Sequence, residues 1–219
     1  MGGEHVMTGA ETRAASTGPA ASPARRDLFG AGLALAFVVL LLASEAALTL
    51  PDETASDVAV ASFYAHHRAT VVALQVTGLV AAGLLAGYAA RLWRVDRVVG
   101  SAGLITAALA CAPAIVTTVT ALVADPAHPH AAGTWNALEP RADDLLFVGI
   151  TGFGAAVALR PRLPAVTRVL GAIVAVLCGA RLVLEATGHA RSTFDSLGPI
   201  SFVVLVACLG VFSALGRLP

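Results

Sequence analysis

The chain contains no lysine; all fourteen of its cationic side chains are arginine. Charge of either sign is scarce, at 13% of 219 residues, where a soluble domain carries about 25%. A conventionally solvated surface is therefore excluded. Acids also number fourteen, so the net charge is zero and no global basic field is available to hold nucleic acid. The three cysteines, Cys111, Cys178 and Cys208, all lie in apolar runs, which suits small core residues and not a disulfide framework or zinc set. No Gly-rich phosphate loop is present, which argues against a nucleotide-driven pump. No motif calls for a cofactor, and the reading assigns no metal.

What the chain has instead is apolar length. Hydrophobic residues make up 57%, and mean hydropathy is +0.80. A bilayer core about 30 Å thick needs roughly 20 apolar residues in a helix. Six windows meet or approach that length: 29–50, 69–92, 98–124, 145–160, 165–187 and 197–215. The expected fold is an all-α, polytopic bundle of about six transmembrane helices over residues 28–217, partnered by the lipid bilayer of the cell membrane. Residues 1–27, rich in Gly, Ala, Ser and Thr without apolar periodicity, read as a disordered cytoplasmic tail. Arg25 and Arg26 before the first run faintly resemble an export signal, but the run's length and the later spans favour a retained signal anchor. Pro51, Pro126, Pro164 and Pro199 sit at or near window ends. Gly83 with Gly87, and Gly149, Gly152 and Gly154, offer small faces for helix packing.

Arginine placement orients the bundle. With a cytoplasmic N-terminus, ten arginines fall on the inner side and four on the outer: Arg68, Arg141, Arg181 and Arg191. Both termini are then cytoplasmic. Ten of the fourteen acids and five of the six histidines gather at the outer side, a bias the arginine rule does not explain. Longer outer loops are one cause; a functional site is another.

Depth sharpens the second possibility. Glu45 precedes Pro51 by six residues, which places it ~9 Å inside the outer end of the first span. Arg181 lies at similar depth in the fifth, with Gln75, Thr117, Thr118 and Thr151 near the same level. A charge inside a span must face protein, water or a partner, so Glu45 with Arg181 is the expected ion pair. Arg181, Glu185 and His189 follow at i, i+4 and i+8 along one face. These side chains predict a polar pocket between helices at the outer face; a purely structural salt bridge is the alternative.

The loop 125–144 is the most chemically loaded stretch. His128 and His130 with Asp125 or Glu139 have the donor types for a transition metal, but their spacing matches no strong motif. Asp143 and Asp144 suit the N-terminus of a helix, or a carboxyl pair that keeps one proton. Trp135 reads as an interfacial anchor or pocket wall. Residues 57–68 read as a short amphipathic surface helix that sets His66, His67 and Arg68 at headgroup level.

The stretch Phe63-Tyr64-Ala65-His66-His67-Arg68 before the second span resembles that of actinobacterial six-helix membrane proteins grouped as a domain of unknown function. Arg160-Pro161-Arg162-Leu163-Pro164 and Leu197-Gly198-Pro199 fit the same group. The resemblance covers roughly residues 28–217; it implies the architecture and brings no activity. A weaker resemblance, in size and helix count, is to small integral-membrane terpene cyclases. It implies proton-donating carboxyls near opposite ends of the chain, roles that Glu45 and Asp195 would fill. The leading expectation is thus an acid-catalysing membrane enzyme acting on an isoprenoid or other lipid-soluble substrate. Its candidate acids are Glu45, Asp195, Glu185 and Asp144; Arg181, Gln75, His66, His67, His189 and Trp135 would line or position the pocket. The alternative is a non-enzymatic membrane protein, such as a small-molecule binder, resistance factor or helper subunit, and then a transporter.

Overall fold

The apolar windows are long enough to satisfy their backbone internally only as helices, and the computed structural model has eight helices among its described residues. It describes residues 27–51, 54–188 and 192–218. The expected tail and His189 lie outside the described residues. The helices are α1 (Leu28–Ala46), α2 (Asp57–Val95), α3 (Arg97–Leu109), α4 (Cys111–Val123), α5 (His130–Asn136), α6 (Glu139–Ala158), α7 (Ala165–Ala186) and α8 (Ser192–Ala214). Five stretches are long and apolar enough to cross a membrane: Leu28–Ala46, Asp57–Val95, Arg97–Val123, Ala165–Ala186 and Phe194–Ala214. The chain is an all-α, multi-pass membrane bundle.

α6 is the sixth rod, but its first two turns carry Glu139, Arg141, Asp143 and Asp144. It begins six residues before the expected window because Pro140 suits the first turn, where no intrahelical donor is needed.

Two further boundaries differ from expectation. Residues 57–68 are not a separate surface helix. Ser56 caps Asp57 onward by accepting from the Ala59 amide at 3.3 Å, and no breaker follows before Asp96. The resulting 39-residue helix is ~58 Å long at 1.5 Å per residue, so its N-terminal third extends well past a 30 Å hydrocarbon core. Conversely, the third span is interrupted at Ala110, where Pro113 has no amide to offer Leu109. Pro199, expected to open a span, lies inside α8.

The rods close into a ring. Each packs on its neighbours in chain order, α3 against α6, and α8 returns to α1. The first and last described helices meet at one end: the Asp27 amide donates to the Ser213 carbonyl at 3.1 Å. The same end holds Arg91 with Asp27 at 3.6 Å and Arg160 with Asp96 at 3.2 Å. Inside the ring, on that side, the main core is aromatic and dry. Phe37, Phe153 and Phe202 meet edge to face at 5.9–6.0 Å between centroids, with Leu85, Tyr88 and Leu205 packed around them.

At the other end, the α2 extension packs Val60, Ala61 and Tyr64 against Ala121, Ala124 and Ala132 of α4 and α5. Arg68 secures it by donating to the Ala121 and Ala124 carbonyls at the C-terminal end of α4, where cations complement the helix dipole.

Close approach of α6 and α7 depends on two glycines. A Cβ on Gly154 would stand 2.8 Å from the Gly171 carbonyl oxygen, and one on Gly171 2.7 Å from that of Gly154. Gly149 is less tight, with a Cβ 3.1 Å from Thr106 Cα, whereas Gly83 and Gly152 have nothing within 4 Å and do not serve the expected packing role. Gly154→Leu should therefore force α6 from α7 and cost about 1–3 kcal/mol. In detergent its thermal midpoint should drop by several degrees while that of Gly152→Ala is unchanged; equal midpoints would refute the close-contact account.

Candidate functional site

Arg181, on the second turn from the C-terminal end of α7, is only 2% exposed. A guanidinium at that depth needs acceptors. It finds two: Nη1 donates to Asp144 Oδ1 of α6, and Nε to Asp195 Oδ1 of α8 at 2.8 Å. Its carbon also lies 4.1 Å from the Phe147 ring centroid. One side chain thus joins three helices. The expected partner, Glu45, is not among these acceptors. Asp195 reaches Arg181 because α8 packs back against α7.

Two adjoining cavities occupy the half of the ring away from Asp27 and Ser213. The first, of about 470 Å³, lies between α1, α2, the α3–α4 break and α6; Glu45, Gln75, Thr117, Glu139 and Asp143 supply its polar lining. The second, of about 490 Å³, lies between α1, α6, α7 and α8; its polar lining is Glu45, Asp143, Arg181, Asp195 and Ser196, with Thr106 deeper. Phe37, Leu41, Ala110 and Leu146 border both, and so do Glu45 and Asp143, which stand where the lobes meet. Phe37 and Phe202 floor the second lobe, so the aromatic core ends the cavity partway down the ring.

The carboxylates differ in what holds them. Asp144 and Asp195 accept from Arg181. Glu139 accepts from Thr117 Oγ1 at 3.0 Å, and the buried Tyr64 hydroxyl donates to Asn136 Oδ1 at 3.5 Å. Asp143, one turn beyond Glu139, lies within electrostatic reach of Glu139, Arg181, Glu45 and Asp144. Among the described residues, Glu45, Glu139 and Asp143 form no ion pair.

Of the side chains expected from the sequence, Glu45, Asp195, Arg181 and Gln75 line the cavity, and Asp144 braces it through Arg181. Glu185, Trp135, His66 and His67 line neither lobe. The two histidine rings meet edge to face at 4.8 Å, and His67 lies tilted against Phe63 at 4.8 Å, out on the α2 extension. Thr118 and Thr151 bond back to their own helices. His128 and His130 take different carboxylates, Asp125 at 3.0 Å and Asp57 at 3.2 Å, which separates them as donors for one metal. The His128 bond, with the Ala127 amide, holds the Asp125 carboxyl below its usual range.

From the sequence, Glu139 reads as a loop ligand, and Asp143 as a helix-start charge or, with Asp144, a carboxyl pair that keeps one proton. Their i, i+4 spacing was the available signal, since it places both on one face once α6 is known to begin at Glu139.

Removing Arg181 would leave Asp144 and Asp195 facing each other. Their side chains are 30% and 40% exposed, so the 3–5 kcal/mol typical of a broken buried pair falls to roughly 2 kcal/mol. Arg181→Met should lower the thermal midpoint in detergent, and Arg181→Met with Asp144→Asn and Asp195→Asn should recover most of the loss. A triple variant no better than the single one would sink this account. The chain matches no known protein-family model, no curated protein and no solved structure.

Proposed function

We propose that this protein binds a lipid-soluble amphiphile with a cationic head, typified by a long-chain primary amine, in the outer two-lobed cavity. The observation that carries the reading is the trio Glu45, Glu139 and Asp143, set in apolar walls without an ion-pair partner among the described residues. A carboxylate in such a setting is costly unless it holds a proton or meets a cation. An ammonium head would meet that need at the junction of the lobes, and an alkyl body would fill the space beside Phe37, Leu41 and Leu146. The arginine bias supports a site facing away from the cytoplasm, and the aromatic core beneath it argues for a dead-end pocket over a pore.

A second reading, acid catalysis on an isoprenoid, has one specific observation in its favour. Glu45 stands over a floor formed by Phe37 and Phe202, whose ring faces stabilise cations. In it, Glu45 or Asp143 would protonate an epoxide oxygen. The C–O bond would open as an alkene electron pair attacked the carbon, and a neighbouring C–H would return the proton to the carboxylate. Asp144 and Asp195 are poor donors, because they accept hydrogen bonds from Arg181.

Binding separates the readings. In phosphatidylcholine nanodiscs, with empty discs as blank, the full chain should bind n-dodecylamine saturably and reject dodecanoate. Glu45→Gln or Asp143→Asn should raise Kd about tenfold, equivalent to about 1.4 kcal/mol. Equal uptake of amine and carboxylate would refute amine recognition. Conversion of a linear polyprenyl epoxide to a cyclic product, lost in Glu45→Gln, would establish the catalytic reading instead.

A further inference from the structure

Among the described residues, α1 and α8 approach closely toward the end that holds Asp27, where a Cβ on Gly210 would lie 2.9 Å from that of Ala34 and Phe37 meets Phe202. Beyond that ring pair, the second lobe occupies the space between them. Four of its lining residues also reach the outer surface: Glu45 and Leu42 on α1, Ser196 and Ile200 on α8. Leu42 is 50% and Ile200 55% exposed. From Phe37 to Ala46, α1 covers nine residues, so the gap is ~14 Å tall. Leu42 lies only four residues, ~6 Å, inside the end of α1, at a level where exposed apolar side chains face lipid.

From this geometry we propose that ligands enter the cavity laterally, from the outer leaflet, through the seam between the outer halves of α1 and α8. The rim is graded. Ile200 and Leu42 form its deeper, apolar part, and Glu45 and Ser196 its shallower, polar part. An amphiphile in the leaflet has the same polarity order, head toward the interface and chain toward the bilayer centre. It can slide in without turning over or passing through water. Charge fits as well: four carboxylates, Glu45, Glu139, Asp143 and Asp195, line the two lobes against one guanidinium, already shared by Asp144 and Asp195. The ligand class is therefore a membrane-partitioning amine and not a water-borne one. This assignment of class and route rests on the amine-binding reading above.

A portal variant has a kinetic signature distinct from that of a site variant, since narrowing a gate slows uptake and release together. With tritiated n-dodecylamine in phosphatidylcholine nanodiscs, Leu42→Trp and Ile200→Trp should each slow association and dissociation about fivefold, with Kd within about twofold of the parent. Val183→Trp, on the exposed face of α7 and away from both lobes, should leave both rates unchanged. Unaltered rates in both portal variants, or equal slowing by Val183→Trp, would overturn the route. If dodecylamine does not bind at all, the functional reading fails and the seam is tested separately, with a phosphatidylcholine carrying an acyl-chain diazirine. Label on Phe37 or Phe202, inside the lobe, supports an entrance open to lipid; label confined to outward-facing residues such as Val204 refutes it.

Discussion

A bilayer-spanning bundle whose described residues include one deeply buried guanidinium has to assemble around it. Arg181 cannot face lipid without losing its hydration, and its fork offers donors in two directions. Asp144 and Asp195 meet those donors from α6 and α8. This fixes the rotation of α6, α7 and α8 about their axes. Once Asp144 points at α7, helical periodicity turns Glu139 and Asp143 toward α1, α2 and α4. The ion pair thus places the acids it does not neutralise.

The cavity exists because the ring is packed unevenly along its length. On the inner side, small residues let backbones approach: Gly154 with Gly171, and Gly210 with Ala34. Three phenylalanines then fill what is left in the middle. On the outer side, the α3–α4 break and Pro199 disturb two of the six rods at the level where both lobes lie. Both prolines line the space. Tight helices below and interrupted helices above give a cup and not a channel.

The sequence made the bundle legible, since hydropathy alone places five of its rods and proline and capping residues locate most of their ends. It also placed Glu45 and Arg181 at one level. It did not tell which acid Arg181 would choose. Depth counting treats each span as an isolated rod and carries no information on its rotation. Glu45 and Asp144 are equally plausible by depth, and only the tight α6–α7 contact decides for Asp144. The α2 extension was hidden for another reason. Residues 57–68 are too polar for a hydropathy window but have no helix breaker, so the window ended where the helix did not. The histidines drew attention by chemistry and are set apart by that extension, which carries His66 and His67 beyond the cavity.

α6 gives the strongest reason to treat the acids as functional and not incidental. It falls outside the five described stretches long and apolar enough to cross a membrane, and four charged side chains crowd its first two turns. A helix needed only for structure could hold the same place with apolar residues, and replacing buried ionic groups that way often stabilises a fold. Arg181 accounts for Asp144 alone. Glu139 is met by a neutral hydroxyl, and Asp143 by no hydrogen bond or ion pair among the described residues. Both face a space large enough for a ligand, at a cost to insertion that packing does not require. What the fold fails to satisfy internally is left for something that enters the cavity.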